Sequence, residues 1–240
     1  SDVCSSDLAL IGALAVGLSQ SAAAQNWPQR PVRLINPFAA GGSIEFFGRV
    51  MAPKMGDALG QPVVIESRPG ASGMTGLDYV AKGPADGYNL VLAGPSSLTI
   101  LPILTKVPYS IDNELALLTI VARVPNLITA NGKLGIASLD DLVKAARQAP
   151  GKFNYGSSGT GGTLHLAGAL LAQELKIELT HVPYKGVAPA MTDLIGGQVQ
   201  LLIANANVPL PHLKGGGARA IAITSPKRSP VLPDVPSVVE

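Results

Sequence analysis

Short apolar runs of strand length alternate with helical stretches along nearly the whole chain from Val32 onward. Strands are predicted at 32–38, 62–66, 88–93, 152–156, 179–184, 199–204 and 219–224, and helices at 43–59, 74–82, 138–151, 163–174 and 188–195. This alternation favours parallel sheets with helices on both faces, so the predicted class is doubly wound α/β.

Helix punctuation supports several of these boundaries. Ser43 is the predicted N-cap of the first helix, which Gly60 follows, and Ser138 is the predicted N-cap of the helix that ends near Pro150. The apolar segment 117–130 contains Pro125, which a central strand does not tolerate, so it is interpreted as two strand pieces joined by a connection between domains.

Two glycine-rich loops, 39–43 and 156–162, each follow a predicted strand and precede a helix. In doubly wound sheets, ligands bind beyond the carboxyl ends of the strands, where free helical N–H groups attract anions. Each loop by itself is equally compatible with a tight structural turn. Two such loops in different parts of the chain favour ligand binding.

Enzyme motifs fit the second loop poorly. Gly156, Ser157 and Ser158 begin a nucleophile elbow, but the next glycine is at 159 where the motif requires 160. The loop also lacks the spacing of a dinucleotide-binding fingerprint and the Gly-Lys of a phosphate-binding loop. The three histidines, 165, 181 and 212, have no metal-ligand spacing, and a structural role is favoured for His165 over ligand contact.

The N-terminal region resembles an export signal. The longest apolar stretch, residues 8–18, has 11 residues and is too short to span a bilayer. Ala22 and Ala24 form the A-x-A pattern, which predicts a signal peptide over residues 1–24, export to the periplasm and no membrane insertion after cleavage. Residues 1–7 lack the expected positive charge and are interpreted as foreign sequence, and they contain Cys4, the chain's one cysteine.

Composition excludes further classes. Removing residues 1–24 takes away Asp2 and Asp7 and leaves 18 basic against 14 acidic residues. The basic residues are scattered and aromatic residues are few, so nucleic-acid binding is not expected. The small positive excess is consistent with an ordinary solvated surface or with a weak preference for anionic solutes.

The chain also resembles a known family, through the segments "WPQRPVRLINPFAAGGSIEFFGRVMAPKMGDALGQPVVIESRPGASG", "PADGYNLVLAG", "YGSSGTGGTLHLAG", "VPYKGVAPAMTDLIGGQVQ" and "ARAIAITSPKRSPVLPDVPSVVE". It resembles the Bug family, the periplasmic substrate-binding proteins of tripartite tricarboxylate transporters. The likeness extends over residues 27–240. It departs at Glu45, where the family usually has Asp, at Ser67, where the usual motif is E-N-R-P-G, and at Asn36, which replaces an apolar residue.

The resemblance implies a type II periplasmic-binding-protein fold, in which two doubly wound α/β domains joined by crossing segments close over a small organic carboxylate. Domain 1 is then expected at 25–122 and 222–240, and domain 2 at 123–221. The resemblance further implies a C-terminal part of the first domain beyond residue 240, and apolar faces that this part would cover.

Site residues are predicted from both loops and from other strand ends. The ligand is expected to contact Phe38, Ala40, Gly41 and Ser43 in the first domain, Ser158, Gly159, Thr160 and Thr163 in the second, and Ser96, Ser97 and Asn205 at its distal group. Neither a cofactor nor a metal is expected. The expected partners are the membrane subunits of a tripartite transporter, or a sensor, and the expected state is a monomer.

Two alternatives belong to other classes. An exported serine hydrolase would use Ser157 or Ser158 with His165 and would turn over an ester or amide. A transcription-factor effector domain of similar fold would need a DNA-binding helix-turn-helix, but the predicted signal peptide occupies that end of the chain.

Overall fold

The computed structural model describes residues 27–240. The predicted signal peptide, the segment 1–7 and Cys4 lie outside the described residues. Within this range, no helix combines the length and the apolar character needed to cross a bilayer.

In residues 27–240, eight strands form two separate sheets. They are β1 (Val32–Asn36), β2 (Val63–Ser67), β3 (Asn89–Val91), β4 (Asn126–Asn131), β5 (Asn154–Ser157), β6 (Thr180–Pro183), β7 (Leu201–Asn205) and β8 (Ala218–Ile223). The order is β2-β1-β3 in the first sheet and β6-β5-β7-β4-β8 in the second.

The α-helices lie mainly between consecutive strands. They are α1 (Ser43–Leu59), α2 (Met74–Ala81), α3 (Leu101–Leu104), α4 (Ile111–Glu114), α5 (Leu139–Gln148), α6 (Thr163–Leu175), α7 (Val187–Gly196) and α8 (Leu210–Leu213). Short 3-10 turns occupy Ala71–Gly73 and Gly132–Leu134, and a π turn occupies Ser96–Ile100.

The first sheet is parallel throughout, as the alternation predicts. Val32 pairs with Val63 and Arg33 pairs with Asn89, so β1 lies between the other two strands. Val32 and Ile35 are fully buried there. Because all three strands point the same way, the loops after β1 and β2 leave the sheet at the same edge.

The second sheet is mixed, which corrects the prediction of wholly parallel sheets. β5 runs parallel to β6 and β7, whereas β4 runs antiparallel to both β7 and β8. β4 enters this sheet directly from the connecting segment without a preceding helical crossover, and only parallel neighbours require such a crossover.

The apolar core of the second half lies between this sheet and its helices. Its centre consists of buried aliphatic side chains, among them Leu142, Leu194, Leu202 and Ile221. Gly168 on α6 lies against the ring of Tyr155, where any Cβ would come within 2.2 Å of the ring. The missing side chain therefore lets α6 approach β5 closely and fixes the helix over the end of that strand.

Two boundary predictions need correction. The segment 117–130 contains one strand, β4, which begins at Asn126, and residues 115–125 have no regular secondary structure. Gly42, not Ser43, is the N-cap of α1, and Ser43 is its first helical residue. The predicted Gly60 stop is confirmed, since Gly60 adopts a left-handed conformation at the end of α1.

Candidate carboxylate-binding site

A cavity of about 380 Å³ lies where loops from the two sheets meet. Its walls come from the loops after β1, β2 and β5, from α3 and from the end of β6. The lining residues are Phe38, Gly70, Ala71, Ser72, Met74, Leu101, Ser158, Gly159, Thr160, Pro183, Tyr184 and Lys185. This volume is within the range of ordinary small-molecule sites.

The loop after β5 brings unpaired backbone donors to this cavity. Gly159 N–H donates to Ser157 Oγ and Gly161 N–H donates to His165 Nδ1. In residues 27–240 the N–H groups of Ser158 and Thr160 have no hydrogen-bond partner. Both residues line the cavity just before the N-terminus of α6, where the helix dipole favours an anion.

Gly159 is required by the geometry of this loop. Its φ is +134°, and an added Cβ would lie 2.5 Å from Ser72 Oγ. A side chain at this position would therefore both strain the backbone and push apart the two loops that form the cavity.

The loop after β2 supplies a wall that the sequence predictions missed. Ser72 is buried, and its hydroxyl donates to the carbonyl oxygen of Thr160 at 2.7 Å. Ala71 and Ser72 have φ of 45° and 53°, a conformation uncommon for residues other than glycine. The sequence signal for this wall is the glycine-rich run R-P-G-A-S-G at 68–73, which follows the predicted strand at 62–66.

Ser96 and Thr163 meet across the two halves beside the cavity. The N-cap of α6, Gly162, offers no side-chain cap, and Ser96 Oγ accepts the Thr163 N–H at 3.0 Å. A residue of the first half therefore caps a helix of the second. Neither Ser96 nor Thr163 lines the cavity itself.

Ser97 and Asn205 have contacts within their own halves. Ser97 is fully buried, and its carbonyl oxygen accepts the Tyr109 hydroxyl at 2.7 Å. Asn205 Nδ2 donates to Asn126 Oδ1 at 3.0 Å, which joins β7 to β4. Both residues lie away from the cavity walls.

The loop after β1 closes against the second half. Ala39 N–H donates to the carbonyl oxygen of Lys185 at 2.9 Å, and Ser43 Oγ donates to Asn207 Oδ1 at 2.6 Å. Ala40 and Gly41 are exposed, and of this stretch only Phe38 reaches the lining of the cavity.

Glu45 lies at the start of α1 and is buried. Its carboxylate accepts the Gly41 N–H, and Arg49 Nε donates to the same carboxylate at 2.8 Å. The Gly41 hydrogen bond lowers the pKa of Glu45, and Arg49 lowers it further against the opposing effect of burial. Glu45 is therefore ionised at neutral pH.

The cavity walls carry little charge. Among the lining residues of the described chain, Lys185 is the one charged side chain. Tyr184 stays protonated, because burial and its hydrogen bond to Asp193 raise its pKa to about 12. No group of three or more His, Cys, Asp or Glu side chains occurs in residues 27–240 in a metal-binding arrangement.

The pairing that the hydrolase alternative requires is not present. His165 Nδ1 accepts the Gly161 N–H, and the serine that contacts a histidine is Ser157, with His181 Nε2 at 2.7 Å. Ser157 is fully buried and also bonds to Gly159. This serine therefore fixes the loop and is not presented to a substrate.

Comparison with known proteins identifies the family. The family model described as tripartite tricarboxylate transporter family receptor matches residues 47–240. The chain belongs to this receptor family. Among curated relatives, the protein BugT of Bordetella pertussis is 37% identical over 237 residues, which cover 97% of this chain and 73% of BugT. The chain spans about two thirds of the length of the curated relatives that it matches.

Solved structures of the family share this fold. An R. palustris protein with adipate is 36% identical, with a TM-score of 0.83 over 89% of this chain and 72% of its own. The malate-bound MatC of Rhodopseudomonas palustris is 28% identical, with a TM-score of 0.81 over 89% and 73% of the two chains. The fold is thus the two-domain periplasmic-binding-protein fold, and the family consists of substrate-binding proteins, not enzymes.

Proposed function

We propose that this chain is a periplasmic solute-binding protein that captures a small organic carboxylate in the cavity between its two halves. In this proposal the halves are 25–122 with 222–240, and 123–221, as the family resemblance implies. The observation that carries it is the pair of unpartnered N–H groups on Ser158 and Thr160, at the N-terminus of α6 and on the cavity wall.

Ser158, Gly159 and Thr160 hold the carboxylate in this proposal. A hydrogen bond to a charged group contributes about 1.5–3 kcal/mol, so two backbone donors and the helix dipole suffice without an arginine. Phe38, Met74 and Leu101 provide an apolar wall for the body of the ligand. Ser72 faces the carboxylate loop from the other half.

The remaining predicted site residues receive a different role. Ser43, Ser96 and Thr163 form hydrogen bonds between the halves, and we assign them to closure over the ligand. Ala40, Gly41, Ser97 and Asn205 support the surrounding loops and strands. The two family structures contain adipate and malate, which supports a small organic carboxylate as the ligand of this chain.

A matched pair of probes tests the proposal. Adipate and its neutral diamide have the same length, so only the charged ends differ. A carboxylate present at 100 times its dissociation constant stabilises the protein by about 2.7 kcal/mol, which thermal shift detects. We expect one or more acids of a dicarboxylate and monocarboxylate series, but not the matching amides, to raise the melting temperature. If neither the acids nor the amides raise the melting temperature, or if both raise it equally, carboxylate capture is contradicted.

The proposed partner is the pair of membrane subunits of a tripartite tricarboxylate transporter, which the family description supports. Proteoliposomes that contain those subunits are expected to accumulate the identified acid only when the binding protein is added. A signalling role for the same binding protein predicts no uptake, but ligand-dependent association with a sensor.

A further inference from the structure

The two glycine loops are built on the same plan, although they belong to different sheets. Residues 39–45 read A-A-G-G-S-I-E and residues 159–165 read G-T-G-G-T-L-H. Gly41 and Gly161 have φ of 85° and 75°, and the following N-cap glycines have φ of −87° and −82°. In each loop the third helical residue reaches back to the glycine before the N-cap.

This back-reaching side chain differs in charge between the loops. Glu45 accepts the Gly41 N–H with a buried carboxylate, and His165 accepts the Gly161 N–H with Nδ1 at 3.1 Å. A nitrogen that accepts a hydrogen bond carries no proton, so His165 is the neutral Nε2–H tautomer in this arrangement. Burial also lowers the pKa of His165, which keeps the ring neutral at pH 7.

The neighbours of His165 add no negative charge. Its ring stacks on that of His181, with 4.0 Å between centroids, and burial followed by the effect of His165 lowers the pKa of His181 to about 4. Tyr155 faces His181 from β5, and burial raises its pKa to about 12. Of the charged residues on these elements, Glu174 lies in the last turn of α6 and Lys185 just beyond β6.

The first loop has the opposite character. The Glu45 carboxylate already occupies the Gly41 donor and is buried next to it, whereas the side chain of its partner Arg49 is 73% exposed. A second carboxylate at this loop would meet a like charge at short range. Electrostatic interactions of this kind are strong when one charge is buried.

We infer that the third helical residue, Glu45 in one loop and His165 in the other, determines which of two similarly built loops accepts a carboxylate. His165 is thus a positioning and specificity-determining residue that fixes Gly161 without adding negative charge. Glu45 fixes Gly41 and excludes anions from the first loop. This inference rests on the proposed function for its biological meaning, but its chemistry is testable without the natural ligand.

The test uses acetate as the probe. The readout is the NMR chemical shift of each backbone amide of the full chain. Acetate is expected to shift the Ser158 and Thr160 amides of the wild type but not those of Ala40 and Gly42. His165→Glu, which copies the first loop, is expected to weaken the response by about a hundredfold or more at pH 7. His165→Asn keeps a neutral acceptor near the Nδ1 position and is expected to retain the response to acetate.

Two further variants complete the design. Glu45→Gln is expected to make the Ala40 and Gly42 amides respond to acetate. Gln148→Glu, which adds a carboxylate at an exposed position on α5, is expected to change neither loop. The response of His165→Glu should recover relative to wild type as the pH falls and the new carboxyl group takes a proton. A purely structural role for His165 predicts no such recovery.

The outcomes separate this inference from the proposed function. If acetate prefers the second loop but no larger carboxylate binds, the inference holds and the proposed function fails. Equal binding at both loops in the wild type, an unchanged response in His165→Glu, or no response at either loop in any variant would overturn it.

Discussion

Gly159 shows how a single missing side chain keeps the cavity open to a ligand. Replacing it with Val would place a Cβ 2.5 Å from Ser72 Oγ and would strain a backbone at φ +134°. We expect at least a tenfold loss of affinity for the identified carboxylate, about 1.4 kcal/mol, measured by calorimetry. Ser158→Ala is expected to cost less, because it removes a hydroxyl and leaves the backbone donor.

Gly215→Val is the matched control for Gly159, because a Cβ at Gly215 meets no atom within 4 Å. It is expected to bind normally. Unchanged affinity in a folded Gly159→Val protein would remove this loop from the binding site.

Asn36 and Ser67, two residues that depart from the pattern of the family resemblance, contact each other. Asn36 and Ser67 are register partners in β1 and β2, and Asn36 Nδ2 donates to Ser67 Oγ at 3.0 Å. Asn36 Oδ1 also accepts the Phe38 N–H, which orients the residue on the cavity wall. In the pattern that the resemblance implies, the amide side chain is at 67 and an apolar residue is at 36, whereas this chain has the amide on the neighbouring strand.

A double-mutant cycle tests that coupling. Asn36→Val leaves the partly buried Phe38 N–H without its acceptor and is expected to lower the free energy of unfolding by about 1–3 kcal/mol. Adding Ser67→Asn restores the family arrangement and is expected to recover about 1 kcal/mol or more, as measured by urea denaturation. Strictly additive effects would show that the two substitutions are independent.

At the scale of elements, two helices with serine caps differ in where the cap comes from. Ser138 caps α5 from the adjacent position, accepting the Asp141 N–H at 3.1 Å, whereas Ser96 caps α6 from the other half of the chain. Loss of a cap typically costs about 1 kcal/mol. Ser138→Ala is therefore expected to lower the free energy of unfolding by that amount without changing ligand affinity.

Ser96→Ala is expected to show the reverse pattern. It removes a contact between the halves that we assign to closure over the ligand, so ligand affinity should fall about fivefold, with little change in the melting temperature of the ligand-free protein. Calorimetry on both variants checks this. The assignment of Ser96 to closure fails if both variants lose stability and affinity to the same degree.

The elements that the sequence predicts well are those with strong local signals. α5, with its Ser138 cap, and α1, with its Gly60 stop, fall within about three residues of prediction because propensity and capping are local. The antiparallel direction of β4 and the cap that Ser96 provides to α6 depend on residues far apart in sequence. Ser72 escaped prediction for the same reason, since only the folded chain places its hydroxyl against Thr160.

At the scale of the whole molecule, the segment 115–125 exposes several large apolar side chains to solvent. Leu117, Leu118 and Ile120 are 72%, 75% and 69% exposed and lie on a stretch without regular hydrogen bonding. Such runs promote association. We expect this 240-residue chain to self-associate at high concentration, and Leu118→Lys with Ile120→Lys to reduce it in sedimentation velocity.

Val231→Lys serves as the control, because Val231 is similarly exposed but isolated from this segment. It is expected to leave sedimentation unchanged. Identical sedimentation of all three proteins would show that the segment does not drive association.

The cap that Ser96 provides to α6 also bears on how the protein melts. Each sheet folds around its own buried residues, and hydrogen bonds such as those from Ser72 to Thr160 and from Thr163 to Ser96 join them only at the cleft. We expect two halves joined so sparingly to unfold as separate cooperative units when they part. In the proposed function a bound ligand holds them together, so its addition is expected to merge two calorimetric transitions into one.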